Sequence, residues 1–138
     1  MFVRINKNNI VNTDMVLSIE GSSLFEDSLN FNFFNNTPSG YCSVNNKDAL
    51  LNNFVNIDKN FIRIKNLVVR ISAIKSISTF VSTNKNHDFV MTITCFDGKE
   101  DVQYAVELGN MEDAELIYCV LMEQIGAKDI SENIKWEE

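Results

Sequence analysis

The chain has 138 residues, 45% of them hydrophobic and 22% charged, with a formal net charge of −7. That length suits one compact domain or a pair of very small ones, and a pI near 4.7 argues against a general nucleic-acid binder. No apolar run approaches the roughly 18 residues of a spanning helix, and the start MFVRINKNNI lacks the apolar core of a secretion signal, so a cytoplasmic protein without membrane contact is expected.

Phe2-Val3-Arg4-Ile5-Asn6 reads as a first strand, and Leu29 to Phe34 as a later one that turns at Asn35-Asn36. Pro38 and Gly40 suggest a longer or edge hairpin there. A short helix over about 47–55 carries Ala49, Leu50, Leu51 and Phe54. Phe61 to Lys65 then alternates, with Ile62 and Ile64 on one face and Arg63 and Lys65 on the other, the pattern of a half-buried strand. Asn66 marks a tight turn, residues 74–81 are rich in β-branched side chains, and 82–88 is a polar loop. Phe96-Asp97-Gly98-Lys99 matches a two-residue Asp-Gly hairpin, a register that sets Ile93 opposite Val102, Met91 opposite Tyr104 and Thr94 opposite Asp101. Asn110 with Asp113 resembles a capping box, and Gly126 suits the position after a helix end, so a second helix is placed at about 111–125. Its stripe of Ala114, Ile117, Tyr118, Leu121 and Ile125 faces a core, while Leu116, Cys119, Val120 and Met122 carry apolar character further round. One sheet face does not cover all of that; the expected second cover is the 47–55 helix or the same helix of another chain.

Laid on itself, the chain repeats. Phe2-Val3-Arg4-Ile5-Asn6 returns as Phe61-Ile62-Arg63-Ile64-Lys65, and Lys47-Asp48-Ala49-Leu50-Leu51 as Glu112-Asp113-Ala114-Glu115-Leu116, with intermediate blocks in the same order. The expected fold is α+β: two pseudo-symmetric antiparallel β-meander-plus-helix repeats, 1–57 and 58–128, packed into one domain and followed by an acidic tail, 129–138.

Chemistry is sparse. The single histidine, His87, lies in a polar loop and reads as solvated, and no phosphate-loop, dinucleotide, zinc-protease or serine-nucleophile motif is present, so no catalytic residue and no cofactor is expected. The cysteines, Cys42, Cys95 and Cys119, number three, are widely spaced, and read as reduced, buried packing residues. Asp97, Glu100 and Asp101 lack the ligand ladder of a calcium loop and read as solvated hairpin charge, so no metal is expected.

Charge is unevenly spread. From Lys59 to Cys95 six basic residues face only Asp88, and from Asp97 onward twelve acids face only Lys99, Lys128 and Lys135. Arg4, Arg63, Lys65 and Arg70 read either as solubilising strand charge or as a site for a small anionic ligand, such as a nucleotide, between the repeats. Glu112, Glu115 and Glu123, with Trp136 in the tail, read either as a solvated face or as a protein-binding surface.

The pattern F-I-R-I-K-N-L-V-V-R-I-S-A-I-K-S-I, then V-M-T-I-T-C-F-D-G-K-E and a closing helix, resembles small tandem β-meander-plus-helix proteins of phages and mobile elements in low-GC bacteria. The resemblance covers about 61–125, more weakly 2–55, and carries no active site. It implies a setting in which a small acidic protein binds and blocks a host factor. The leading expectation is therefore a non-catalytic protein-binding inhibitor or regulator, a phage counter-defence protein in that setting. The alternatives are a binder that sequesters an anionic small molecule, and a structural protein that forms homo-oligomers through helix 111–125.

Overall fold

The computed structural model describes residues 1–21, 27–35, 37, 39–83 and 86–130. Among these the chain is α+β, with ten strands in three antiparallel sheets and two α-helices. Strands β1 (Phe2–Arg4) and β2 (Ile10–Asn12) pair as a hairpin. A 3-10 turn at Thr13–Met15, capped by the Asn12 side chain accepting from the Asp14 N–H, leads into β3 (Val16–Gly21), β4 (Ser28–Phe33) and β5 (Gly40–Ser43). Helix α1 (Lys47–Ile57) starts at Asn46, whose side chain accepts from the Ala49 N–H.

The same order then recurs. Strands β6 (Phe61–Ile64) and β7 (Leu67–Arg70) form a hairpin, a 3-10 turn spans Ile71–Ala73, and β8 (Ile74–Val81), β9 (Phe89–Phe96) and β10 (Asp101–Gly109) precede α2 (Met111–Ile125). The register shift between β3 and β4 falls at Val16/Ser18, and that between β8 and β9 at Ile74/Ser76.

Strand pairing cuts across the two halves. The five-stranded sheet runs β5-β4-β3-β7-β6, so the β6–β7 hairpin extends the meander of the first half, while β8, β9 and β10 form a separate sheet in the order β10-β9-β8. One face of the five-stranded sheet packs Ile19, Leu29, Phe31, Phe61 and Val68 against Leu51 and Phe54 of α1 and against Ile5 and Val11 near the first hairpin. On its other face, Leu17, Ile62, Ile64, Leu67 and Val69 meet Met91, Ile93, Cys95, Tyr104 and Leu108, together with Ala114 and Leu121 of α2. Strand β7 is thus buried on both faces, which explains its unbroken apolar Leu67-Val68-Val69. The helices serve different cores, so α1 does not cover the outer side of α2, where Leu116 and Val120 are exposed. Cys119 is exposed there too, unlike buried Cys42 and Cys95, which corrects the expectation of three buried thiols.

The β9–β10 hairpin has a four-residue loop, Asp97 to Glu100, in place of a two-residue turn. Asp97 is 3% exposed and its carboxylate accepts from the N–H groups of Lys99 (2.7 Å) and Glu100 (2.8 Å), so it shapes the loop and is not solvated charge. The pairs become Ile93 with Tyr104, Met91 with Val106 and Thr94 with Gln103. This register differs by two residues from the expected one, and an even shift leaves every side chain on its expected face.

That loop also meets the end of β4, where the Asn35 N–H donates to the Asp97 carbonyl at 2.6 Å. Gly98, at φ +99, sits against the Asn35 side-chain oxygen, which must move aside for any Cβ there. Gly98→Ala is expected to destabilise the fold by about 1–3 kcal/mol through backbone strain and this clash. A lower urea midpoint at constant slope checks it; an unchanged midpoint refutes the constraint.

Candidate functional site

Helix α2 is held at both ends. Asn110 accepts from the Asp113 N–H at 2.9 Å, Glu112 and Asp113 complement the N-terminal dipole, and Gly126, at φ 72, ends the helix with its N–H directed to the Met122 and Glu123 carbonyls. At about 100° per residue, Ala114, Ile117, Leu121 and Ile125 share the core-facing side, while Leu116, Cys119 and Val120 share the opposite one. Leu116 is 66% and Val120 46% exposed, so the outer side carries a short apolar stripe. Glu112 and Glu123 are exposed and stand within about 40° of Leu116 around the helix axis; Glu115 is exposed on the flank. Three of the four acidic-surface residues singled out from sequence are thus on one helix, and Trp136 lies outside the described residues.

A second apolar surface lies beside it. An open groove of about 510 Å³ runs between β8 and the C-terminal half of α2, lined by Ile71, Ile74, Ile77, Tyr118, Met122 and Ile125. At its strand side β8 is the last strand of its sheet, carrying Phe80 and Val81 half-exposed. Lys75, on the same strand, pairs with Asp101 at 2.9 Å, an exposed contact of little energetic weight. Sequence reasoning missed this groove. Its only trace there is the run from Ile74 to Val81, which has a single charge to discourage pairing at its edge.

Of the four basic residues expected to hold an anion, the three arginines are each engaged by a different part of the chain. Arg4 donates to the carbonyls of Asn6 (3.1 Å) and Lys7 (3.2 Å) in its own hairpin loop. Arg63 forms an ion pair with Asp48 and donates to Asn52 Oδ1 (2.7 Å) and the Lys65 carbonyl (2.6 Å), tying β6 to α1. The Arg70 guanidinium donates to the carbonyls of Val16 (3.0 Å) and Thr13, and lies 4.5 Å from the centre of the Phe61 ring. Lys65 is exposed at φ 54 in the β6–β7 turn.

Where β10 approaches β3, the Tyr104 and Ser18 hydroxyls lie 2.5 Å apart, and Asn32 Nδ2 donates to Ser18 Oγ (3.0 Å) and Glu20 Oε2 (2.9 Å). Burial pushes the Tyr104 phenol up to about 12 against a counteracting Ser18 hydrogen bond, so it stays protonated at neutral pH. Burial likewise raises Cys95 to about 11 and raises Cys42, leaving neither as a thiolate nucleophile at neutral pH. His87 is exposed. Among the described residues no three His, Cys, Asp or Glu side chains gather where they would hold a metal ion, and no helix is long and apolar enough to cross a membrane. No protein-family model, curated protein or solved structure matches the chain.

Proposed function

We propose that the chain is a duplicated α+β unit acting as a non-catalytic, protein-binding regulator through the outer side of α2. One observation carries this: Leu116 and Val120 are exposed on a helix whose other side is packed, and Glu112 and Glu123 border them. A partner suited to that surface offers an apolar ridge flanked by Lys or Arg, because opposite charges at the rim guide approach while the apolar centre supplies affinity. The net charge of −7 favours encounter with a basic protein. In the phage setting that the sequence pattern implies, that partner is a host factor. In favour of duplication stand the recurring element order, the two 3-10 turns, the matching register shifts and the two asparagine helix caps.

Native mass spectrometry of the protein purified from a bacterial cytoplasm, followed by titration with the captured partner, tests this reading. Leu116→Ser with Val120→Ser is expected to weaken that complex about 30-fold, and reversal of Glu112, Glu115 and Glu123 to Lys to slow its formation, both with an unchanged thermal melt. Equal affinity across these variants would sink it.

A further inference from the structure

The hairpins that open the two halves differ in what covers them. Phe61 and Val68, in β6 and β7, are 3% and 0% exposed, whereas Phe2 and Ile10, at the corresponding places in β1 and β2, are 72% and 69% exposed. The second hairpin is docked on the edge of β3, which carries Phe61 and Val68 into the core beneath α1. Ser18 pairs with Val69, Ile19 with Val68 and Glu20 with Leu67, and the Gly21 N–H donates to the Asn66 carbonyl at 2.9 Å. Phe61 then packs edge-on against Phe54 of α1, ring centres 4.9 Å apart.

The strand that corresponds to β3 is β8, and its edge has no neighbour among the described residues. Both strands follow a 3-10 turn and carry a register shift at the same place. The bond from the Ser82 N–H to the Asp88 carbonyl fixes the alternation on β8, so the backbone groups of Ile77 and Thr79 point away from β9. On the first hairpin, the bonds from Thr13 N–H to Met1 and from Ile5 N–H to Asn9 direct the backbone groups of Ile10 and Asn12 away from β1. The groove between β8 and α2, with Ile74, Ile77, Tyr118 and Met122, occupies the place relative to β8 that Phe61 fills relative to β3.

We infer that the β1–β2 hairpin of one copy adds antiparallel to β8 of a second copy, Ile10 opposite Ile77 and Phe2 in the groove, so that chains join head to tail. The internal β3–β7 junction is the template, and this chain carries both halves of a second junction of the same kind, which is why the occupant is another copy. Each copy gives a hairpin and accepts one, so the assembly closes as a ring or grows as a filament. The junction rests on the duplication reading and is independent of the α2 stripe.

Sedimentation velocity across a concentration series tests it. The wild type is expected to run at twice the 15.7 kDa chain mass or more. Phe2→Lys with Ile10→Lys removes the donor. Thr79→Pro removes the edge N–H equivalent to that of Gly21, and Tyr118→Glu, on the groove wall, is a second acceptor variant should Thr79→Pro not fold. Each is expected to be a folded monomer by circular dichroism. An equimolar mixture of donor-blocked and acceptor-blocked chains then has one intact junction and is expected to form a complex that stops at two chains. A monomeric wild type, assembly that survives both blocks, or a mixture that stays monomeric would each overturn the junction. Leu116→Ser with Val120→Ser is expected to assemble as the wild type does. Loss of assembly in that variant alone would assign self-association to α2 and overturn the hairpin junction, while leaving binding to a partner protein to be judged by its own titration.

Discussion

Arg70→Ala is expected to lower the free energy of unfolding by about 3 kcal/mol. The guanidinium takes the Val16 and Thr13 carbonyls as acceptors, and both of those residues are 0% exposed. It also lies over Phe61 at 4.5 Å and Phe34 at 5.6 Å. Truncation takes the charged donor from the buried Val16 carbonyl, at roughly 1–3 kcal/mol, leaves the Thr13 carbonyl with the Val16 N–H alone, and removes a partly desolvated cation–π contact of about 1 kcal/mol. Arg70→Lys is expected to recover little, because a point ammonium reaches one carbonyl at a time and stacks poorly. Urea denaturation of the three proteins checks this. A loss below about 1 kcal/mol for the alanine variant would show that the guanidinium is not holding the end of the first hairpin to the central sheet.

Above pH 9 the protein is expected to lose stability steeply. Cys95 is raised by burial from 9.0 to about 11 and Tyr104 from 10.0 to about 12. Each is an acid whose neutral form the fold favours, so the unfolded chain releases the proton first. The contribution of each is complete below its unfolded value and is lost as pH climbs through the folded one. The windows are pH 9 to 11 for the thiol and pH 10 to 12 for the phenol. A shift of that size corresponds to about 3 kcal/mol for each group. Unfolding free energies at stepped pH between 8 and 11.5 check the sign, as flagged by the roughly 1.4 kcal/mol per pH unit that one released proton contributes. Cys95→Val is expected to flatten the decline from its onset, and Tyr104→Phe only its later part, after a constant cost for the lost Ser18 hydrogen bond. A stability that is level from pH 8 to 11 would refute the assignment.

Local structure was the legible part of the sequence. Asn110 and Gly126 mark α2 to the residue because capping is decided by neighbours within one turn. The faces of β9 and β10 were legible as well, since alternation survives an even slip; their register was not, because nothing local shows that the Asp97 carboxylate turns inward to cap a longer loop. Pairing of β3 with β7 joins residues some fifty apart and leaves no local trace, so the division into sheets was hidden. The same blindness affected charge. Arg63 and Arg70 look available in the sequence, but their acceptors lie on α1 and on the turn before β3, elements whose positions only the fold supplies. Cys119 illustrates the converse: an apolar helix suggests burial all round, and the side with no layer against it stays in water.

The sheet order has a consequence for how the chain matures as it leaves the ribosome. Residues 16–21 are synthesised early, yet their partner strand, Leu67–Arg70, is made some fifty residues later and emerges only after further synthesis has pushed it through the exit tunnel. At about 5–20 residues per second the nascent N-terminal half waits several seconds with the β3 edge bare. During that interval neighbouring nascent chains on one messenger compete for the edge, and the cell's holding chaperones have a defined strand to shield.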